Sequence, residues 1–441
     1  MTIATEEERV LSTQSAPALD LDINLRHLFV FMAVAEAGSV AAAAERLFRA
    51  SSAVARAVTN LESDLGVRLF DRRARGMLVN AYGRTVLERG RRIAEEFAAV
   101  SKALDTTGFP RDDRGSYLVF SALPNGRRLA IVTTLADRHN MGAVARELCV
   151  TQAAISAGLK EAEDRLGVPL FTRSAKGLIP TEAGELLAFH FRRVLAELRH
   201  IGPDLAAMEG MVHGTVKIGA LPLGRTRILP SSVASVLDRY PRLHIVTVES
   251  PYDVLAAQLR SGDIDFVFGA LRPARDARDL CQEALFDDCI SIIARAGHPL
   301  ASRQALTLRD VRDARWVLWR RESPAREMLL RCFRELGEPA PQPSVETGDL
   351  AILRGVILQS DMLTAISAQQ LQHEIVSGDL VILPIDLGQT RRSIGIAQRE
   401  GALPSPGTRV LLDEIRTRVR RMIEEGELLN VEEGRNDERH A

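Results

Sequence analysis

The six residues Thr151-Gln152-Ala153-Ala154-Ile155-Ser156 combine groups suited to reading the edge of a DNA base pair. A threonine hydroxyl can cap a helix and leave the helix N-terminus facing an anion such as a backbone phosphate. A glutamine amide can bond bidentately to adenine N6 and N7, and an alanine methyl can touch the thymine methyl. On a helix opened by Thr151, the side chains of Gln152, Ala153, Ser156 and Lys160 are short or polar and fall on the outer side. Arg173 and Lys176, a few residues beyond, would reach phosphates or the minor groove. The same pattern also fits a helical hairpin that only packs and leaves a polar face in solvent.

These residues lie in a segment that occurs twice. LGVRLFDRRARG at 65–76 returns as LGVPLFTRSAKG at 166–177, and the offset of 101 (residue 65 against residue 166) holds over about sixty residues without a gap. It pairs Leu28 with Leu129, Leu47 with Leu148, Glu62 with Glu163, Phe70 with Phe171 and Gly83 with Gly184. So long a period duplicates a small domain rather than building a solenoid. In the first copy the spacing predicts helices over Leu25–Ala37, Val40–Phe48 and Ser51–Leu65, then a basic turn over Asp71–Gly76. The second copy predicts Leu129–Asp137, Gly142–Leu148, Thr151–Leu166 and Thr172–Gly177. Each is a helix-turn-helix followed by a wing.

The two copies differ where the chemistry sits. The third helix of the first copy opens Ala50-Ser51-Ser52, so the capping threonine and the reading glutamine are both replaced, although Ser51 could cap from one residue later. Ser52 and the basic residues Arg49, Arg56, Arg72, Arg73 and Arg75 lie on or beside the would-be DNA face. Losing the amide removes base discrimination, while arginines strengthen sequence-independent phosphate binding. Three readings stand: a less selective second DNA reader, a phosphate clamp, or a degenerate copy kept for dimerisation.

From Ala145 to Gly184 the second copy resembles the winged helix-turn-helix of the LysR-type transcriptional regulators. In that family an S/T-Q-x-A-x-S segment opens the recognition helix, LE-x-x-LG-x-x-LF-x-R runs into the wing, and LT-x-AG begins a long linker helix. This chain departs at Ala162, where the family has leucine, and at Pro180 in the wing. The resemblance covers residues 127 to about 422. It implies a cytoplasmic regulator that binds double-stranded promoter DNA, takes a small effector and works as a homodimer or homotetramer, with RNA polymerase a further candidate partner.

Behind the second wing, Leu187, Phe191, Val194, Leu198, Ile201, Leu205 and Met208 alternate spacings of four and three, the seam of a two-stranded coiled coil. Gly202-Pro203 should kink or split that helix. The seam could fold onto its own domain; the resemblance favours dimerisation, since linker helices of the family pair antiparallel. A weaker stripe at Val86, Ile93, Phe97, Val100 and Leu104 follows the first copy and provides either a second pairing helix or packing for the first. From Thr215 short β-rich runs alternate with amphipathic segments, which predicts a parallel sheet with helices on its faces, arranged as two α/β lobes. The resemblance makes this a periplasmic-binding-protein-like effector domain, closest to the subgroup holding regulators of protocatechuate degradation and of a sugar-binding protein.

Paired lobes bind small molecules at the carboxyl ends of their strands. Candidate effector residues are Leu223, Gly224, Arg225 and Thr226 after the first strand, and Ala270 and Arg272 after the third. The second lobe offers Trp319, Arg320, Ser323, Thr347, Gly348 and Thr364. Hydroxyls, arginines and helix N-termini together suit an anion, a carboxylate or sugar acid; each residue alone also suits ordinary capping or surface charge.

The expected architecture is α+β and multidomain: a leader (1–24), a first winged helix-turn-helix with trailing helix (25–104), a connector (105–126) with a SYLVF strand, a second winged helix-turn-helix (127–181), a linker helix (182–212), an effector domain (213–425) and an acidic tail (426–441). Lobe I takes 214–287 with 391–425, and lobe II takes 288–390. The 441 residues hold two to four ordinary domains, and 46% hydrophobic with 26% charged residues suits a soluble protein. A net charge of −1 averages over domains and decides nothing about nucleic acid. Four scattered cysteines show no CxxC or histidine-rich spacing, so no metal is expected, nor any cofactor. No apolar run spans a bilayer, so no membrane partner is expected. No nucleophile elbow, P-loop or dinucleotide fingerprint is visible, and an enzyme is not expected. The alternatives are a dimerising regulator whose first copy is structural only, and a sensor without direct DNA readout.

Overall fold

The computed structural model describes residues 23–73, 76–105, 125–175, 177–388 and 390–428. The expected SYLVF strand of the connector, the acidic tail from residue 429 and all but the end of the leader lie outside them. The chain divides into two compact units, the second beginning at Thr215.

In the first unit, α1 (Leu25–Ala37), α2 (Val40–Arg46) and α3 (Ser51–Leu65) are followed by an antiparallel hairpin of β1 (Phe70–Arg73) and β2 (Gly76–Val79), and then α4 (Ala81–Asp105). The set recurs as α5 (Gly126–Arg138), α6 (Met141–Glu147), α7 (Gln152–Leu166), β3 (Phe171–Ser174), β4 (Gly177–Pro180) and α8 (Glu182–Met208). Helix α5 starts three residues before the sequence expectation because Asn125 caps it, accepting from the Arg128 amide.

The residues that the offset pairs do the same work twice. Glu62 Oε1 accepts the Leu69 amide at 2.8 Å, and Glu163 Oε1 accepts the Leu170 amide at 2.7 Å, so each carboxylate ties a third helix to its wing. A Cβ on Gly83 would stand 2.2 Å from the Leu69 carbonyl oxygen, and one on Gly184 2.0 Å from that of Leu170. Only glycine permits that approach between the trailing helix and the strand. Val54, Val58 and Leu61 on α3, and Ile155, Leu159 and Leu166 on α7, bury one helical stripe against a core that both copies share.

Of the kink or split expected at Gly202-Pro203, the split does not occur; α8 runs through Pro203 to Met208, losing one backbone donor while the proline ring stays buried. The seam, moreover, is covered within the chain. Leu187, Phe191, Val194, Leu198, Ile201 and Leu205 are all buried, with Met208 exposed at the end. Their partner is α4, whose Val86, Ile93, Phe97, Val100 and Leu104 are buried in turn. Phe97 meets Phe191 with ring centroids 6.1 Å apart. Arg89 bonds Asp204 and Glu197, Arg92 bonds Glu197, and Glu96 bonds Arg193 and His190, so the two helices run antiparallel. A seam at heptad spacing specifies a partner helix without saying which chain supplies it.

The second unit holds a five-stranded sheet built from β5 (Gly214–Ala220), β6 (Leu243–Val248), β7 (Phe266–Ala270), β8 (Leu280–Asp288) and β14 (Arg392–Arg399), in the order β6-β5-β7-β14-β8. β5 and β7 are parallel, but β14 runs antiparallel to both β7 and β8, so the sheet is mixed rather than parallel as expected. The return strand β14 comes back from the other lobe and enters between β7 and β8, which reverses its direction. In that lobe β9 (Ile290–Arg295) pairs antiparallel with β12 (Thr364–Ser367) and β13 (Leu380–Ile382), while β10 (Trp316–Trp319) and β11 (Pro343–Thr347) are parallel. Helices α9 (Ile228–Arg239), α10 (Tyr252–Ser261), α11 (Pro324–Glu335), α12 (Leu350–Leu358), α13 (Gln372–Val376) and α14 (Pro406–Glu424) complete the unit.

Candidate nucleic-acid interface and ligand cleft

Helix α7 owes its exposed N-terminus to Thr151, whose hydroxyl accepts the Ala154 amide at 3.1 Å. Gln152, Ala153, Ser156 and Lys160 are all exposed, while Ile155 and Leu159 between them are buried. Gln152, Ser156 and Lys160 are spaced by four and form one polar stripe. The Gln152 amide nitrogen lies 2.9 Å from where a Cβ on Gly142 would sit, so the absence of a side chain on α6 leaves room for it. Arg173 is exposed on β3, and Lys176 lies outside the described residues. The wing is anchored by the Leu178 amide, which donates to the His139 carbonyl at 2.9 Å.

On α3 the expected serine cap is absent. Ala50 takes the capping position with no side-chain bond, and Ser51 is already the first helical residue. A hydroxyl inside the first turn is one residue too late to reach the amides that a cap satisfies. Ser51, Ser52, Arg49 and Arg56 are exposed. Arg72 and Arg73 belong to β1, and Arg75 lies outside the described residues.

In the second unit a cavity of about 520 Å³ opens between the strand ends of the two lobes. It collects Leu223 and Arg225 from the turn after β5, Ala270 and Arg272 from the end of β7, and Trp319, Arg320 and Ser323 from the end of β10. Thr347 and Gly348 line it from the end of β11. Arg320 is exposed, but its Nε sits 3.2 Å from where a Cβ on Gly348 would stand, which lays its head across that glycine.

Three expected residues are elsewhere. Gly224 is buried under Phe268, whose ring would be 2.5 Å from a Cβ there, so its role is packing. Thr226 lines a neighbouring cavity of about 830 Å³ and donates to the Gln369 carbonyl at 3.3 Å. Thr364 is fully buried in β12, paired with Ile293 of β9, and lines neither cavity.

Tyr252, Glu249, Gln370 and Arg392 line the cleft without having been expected there. The Arg272 guanidinium stacks over the Tyr252 ring at 4.3 Å and donates to the nearby Ala270 carbonyl at 3.3 Å. Arg225 Nε donates to the Ala220 carbonyl at 2.8 Å. Among the described residues neither arginine is in a salt bridge with a carboxylate. Burial pushes both guanidiniums below their ordinary range, opposed by Glu249 at Arg225 and by Tyr252 at Arg272. Arg392 differs, since Asp288 accepts from it at 2.9 and 3.0 Å and also accepts from Ser367. Burial pushes the Asp288 carboxyl up despite Arg392 and Ser367. The cleft thus offers two half-buried cations in no direct salt bridge, with acidic groups such as Glu249 near them, and one cation that is already paired. No cluster of metal-binding side chains occurs among the described residues.

Comparison with known proteins covers both parts. The family described as "LysR substrate binding domain" matches residues 209–420, and "Bacterial regulatory helix-turn-helix protein, lysR family" matches residues 25–84 and again 127–185. The chain is 45% identical over 399 residues to the HTH-type transcriptional regulator GalR of Pseudomonas putida, covering 90% of this chain and 98% of that one. It is 28% identical over 303 residues to the HTH-type transcriptional regulator GbpR of Azospirillum brasilense, covering 68% of this chain and 89% of that one. Among solved structures, a full-length OxyR variant from Pseudomonas aeruginosa shares the fold with a TM-score of 0.50 and 23% identity, over 66% of this chain and 94% of that one.

Proposed function

The chain belongs to the LysR-type transcriptional regulators, and from that premise we propose that it recognises promoter DNA sequence-specifically through α7 and is controlled by an anionic effector in the cleft of its two-lobed, periplasmic-binding-protein-like domain. The observation that carries the effector class is the pair Arg225 and Arg272, half-buried and without carboxylate partners. A buried charge without a partner is costly, and a bound carboxylate or sugar acid supplies the missing one. Trp319 and Tyr252 give the same cavity aromatic surface for the ligand's carbon frame.

Base recognition falls to Gln152, with Ala153 and Ser156 beside it and Lys160 and Arg173 for phosphates. The first copy, a second winged helix-turn-helix, contributes Arg49, Ser51, Ser52, Arg56, Arg72, Arg73 and Arg75 to backbone binding. An effector that binds the closed lobes better than the open ones shifts the protein toward the closed form and so changes how its DNA-binding parts are presented. The reading places the protein in the cytoplasm with its DNA, as a homo-oligomer that meets RNA polymerase at the promoter.

Footprinting of the purified chain on DNA upstream of candidate operons, with and without a panel of aromatic and sugar carboxylates, tests both parts. One carboxylate should alter the footprint, and Arg272→Met should abolish that response while leaving the ligand-free footprint intact. A footprint unchanged across the whole panel would remove the anionic-effector reading.

A further inference from the structure

We propose that one chain is by itself a complete two-headed DNA reader, in which α7 reads the bases of one half-site while α3 grips only the backbone of the other. The proposal rests on the DNA-binding function argued above and adds what the site looks like and how many chains cover it.

The pairing of α4 with α8 has an internal two-fold symmetry. Arg92 bonds Glu197 at 2.7 Å, and the residues 101 positions from each, Arg193 and Glu96, bond one another at 2.8 Å. Arg89 bonds Glu197 at 2.7 Å, and His190, its counterpart, bonds Glu96 at 2.8 Å. Asn24 forms an antiparallel bridge with Asn125, again its own counterpart, and so lies at the axis. Contacts that interchange when the two copies are exchanged are the mark of an isologous interface, here built inside a single chain. Two heads related by such an axis face two half-sites related by the same axis.

The symmetry breaks in a way that favours this intrachain pair over pairing of like helices. Asp204 accepts from Arg89 at 2.7 Å. The counterpart of Asp204 is Ala103, and that of Arg89 is His190. Two α8 helices in the same register would set Asp204 against His190, and two α4 helices would set Arg89 against Ala103. The Arg89–Asp204 bond exists only when α4 meets α8. The covalent link between the copies also gives the intrachain pair a high effective concentration. The apolar seam of each helix is already buried against the other within one chain.

The heads are unequal on their exposed faces. Thr151, Gln152, Ser156 and Lys160 correspond to Ala50, Ser51, Ala55 and Thr59, so the first head lacks the cap, the amide and the lysine. Val150 and Ala157 correspond to Arg49 and Arg56, so it gains two exposed cations instead. Amides discriminate bases and cations bind phosphates.

Selection of the full chain on a random 40-base-pair duplex library tests the site. The selected duplexes should carry base preferences in one half-site only, while hydroxyl-radical footprints protect both halves. Arg49→Ala with Arg56→Ala should shorten the footprint to one half and lower the salt slope by about two, with the base preferences unchanged. Recovery of palindromes with equal information in both halves would overturn the proposal and leave the DNA-binding function standing; recovery of no duplex would overturn that function itself. A second variant fixes the chain count. Tyr82 and Glu209 touch at their side-chain tips at 3.4 Å, and Tyr82→Cys with Glu209→Cys, in a background with the exposed Cys149, Cys281 and Cys289 replaced by serine and bridged by a bis-maleimide beside single-cysteine controls, should give a cross-linked monomer. A covalent dimer would show that the helices are exchanged between chains and would also overturn the proposal.

Discussion

Arg89 reaches Asp204 across 115 positions of sequence, its Nε donating to the aspartate at 2.7 Å while the guanidinium is 1% exposed. The same guanidinium holds Glu197. One buried cation therefore joins the trailing helix of the first repeat to two carboxylates on the trailing helix of the second. Burial works against its charge, and the two carboxylates more than offset that cost. Removing the cation strands the buried Asp204 and leaves Glu197 with Arg92 alone, so Arg89→Met should destabilise the first unit by about 3–5 kcal/mol. Urea unfolding followed by circular dichroism on the full chain measures this. Adding Glu197→Gln and Asp204→Asn to Arg89→Met should restore most of the loss, because neutral side chains of the same shape need no cation. Failure of the triple variant to recover would assign the loss to packing of the arginine stem instead.

Glu197 makes the same network sensitive to acid. Burial alone would raise its carboxyl, but Arg89 and Arg92 outweigh that and hold it below the ordinary value of 4.5. A depressed carboxyl contributes stability that is fully present above the unfolded value and is lost as pH falls through the folded one. The melting temperature of the first unit should therefore drop below about pH 4.5 more steeply in the wild type than in Glu197→Gln. Parallel curves for the two proteins between pH 6 and pH 3 would count against a native ion pair at this position.

Much of this was legible in the sequence, and the gaps have physical reasons. The repeat, its helices and its wings were readable because Glu62 and Glu163, and Gly83 and Gly184, perform one local task twice at a fixed offset. The seam on α8 was readable as a seam, but heptad spacing is blind to the source of the partner helix. Its partner was fixed by single residues such as Arg89, which reads in isolation as one more surface charge. Of the cleft, residues directly after strands were found by position. Tyr252 was missed because it follows its strand by a short loop, and Arg392 because β14 returns antiparallel and brings its beginning, not its end, to the cleft. Thr364 was misplaced because a hydroxyl near a strand end does not reveal which sheet faces are covered.

Gly142 offers a test of α7 that separates stability from recognition. A Cβ there would lie 2.9 Å from the Gln152 amide nitrogen and 3.2 Å from the Asn140 side-chain oxygen that caps α6. Gly142→Ala should displace the Gln152 amide from its place over α6 and lower base discrimination by less than the roughly 1–3 kcal/mol that Gln152→Ala should cost. An alanine within α6 should meanwhile favour the helix by up to about 1 kcal/mol. The first copy already has this form, with Ala41 and Ser51 at the two corresponding positions. Competition binding between a selected duplex and a scrambled one, read beside the melting temperature, should show discrimination falling while stability holds or rises. Discrimination equal to wild type in Gln152→Ala would separate Gln152 from base reading.

Arg272 and Arg320 both line the cleft, and their surroundings predict unequal contributions. Arg272 is held on the Tyr252 ring at 4.3 Å and carries a burial cost that its surroundings offset only in part. Arg320 is exposed, so water already solvates it and screens its pull. A hydrogen bond to a charged group is worth about 1.5–3 kcal/mol when desolvated. Arg272→Met should therefore weaken the effective carboxylate by about ten- to a hundredfold, and Arg320→Met should weaken it by less than about fivefold. Calorimetric titration of both variants measures the difference. Without ligand, Arg272→Met should be no less stable than wild type, since it removes an unpaired buried charge and keeps an apolar stem on the ring. Equal losses at the two positions would move the anion to the mouth of the cleft, beside Gly348, rather than onto the tyrosine.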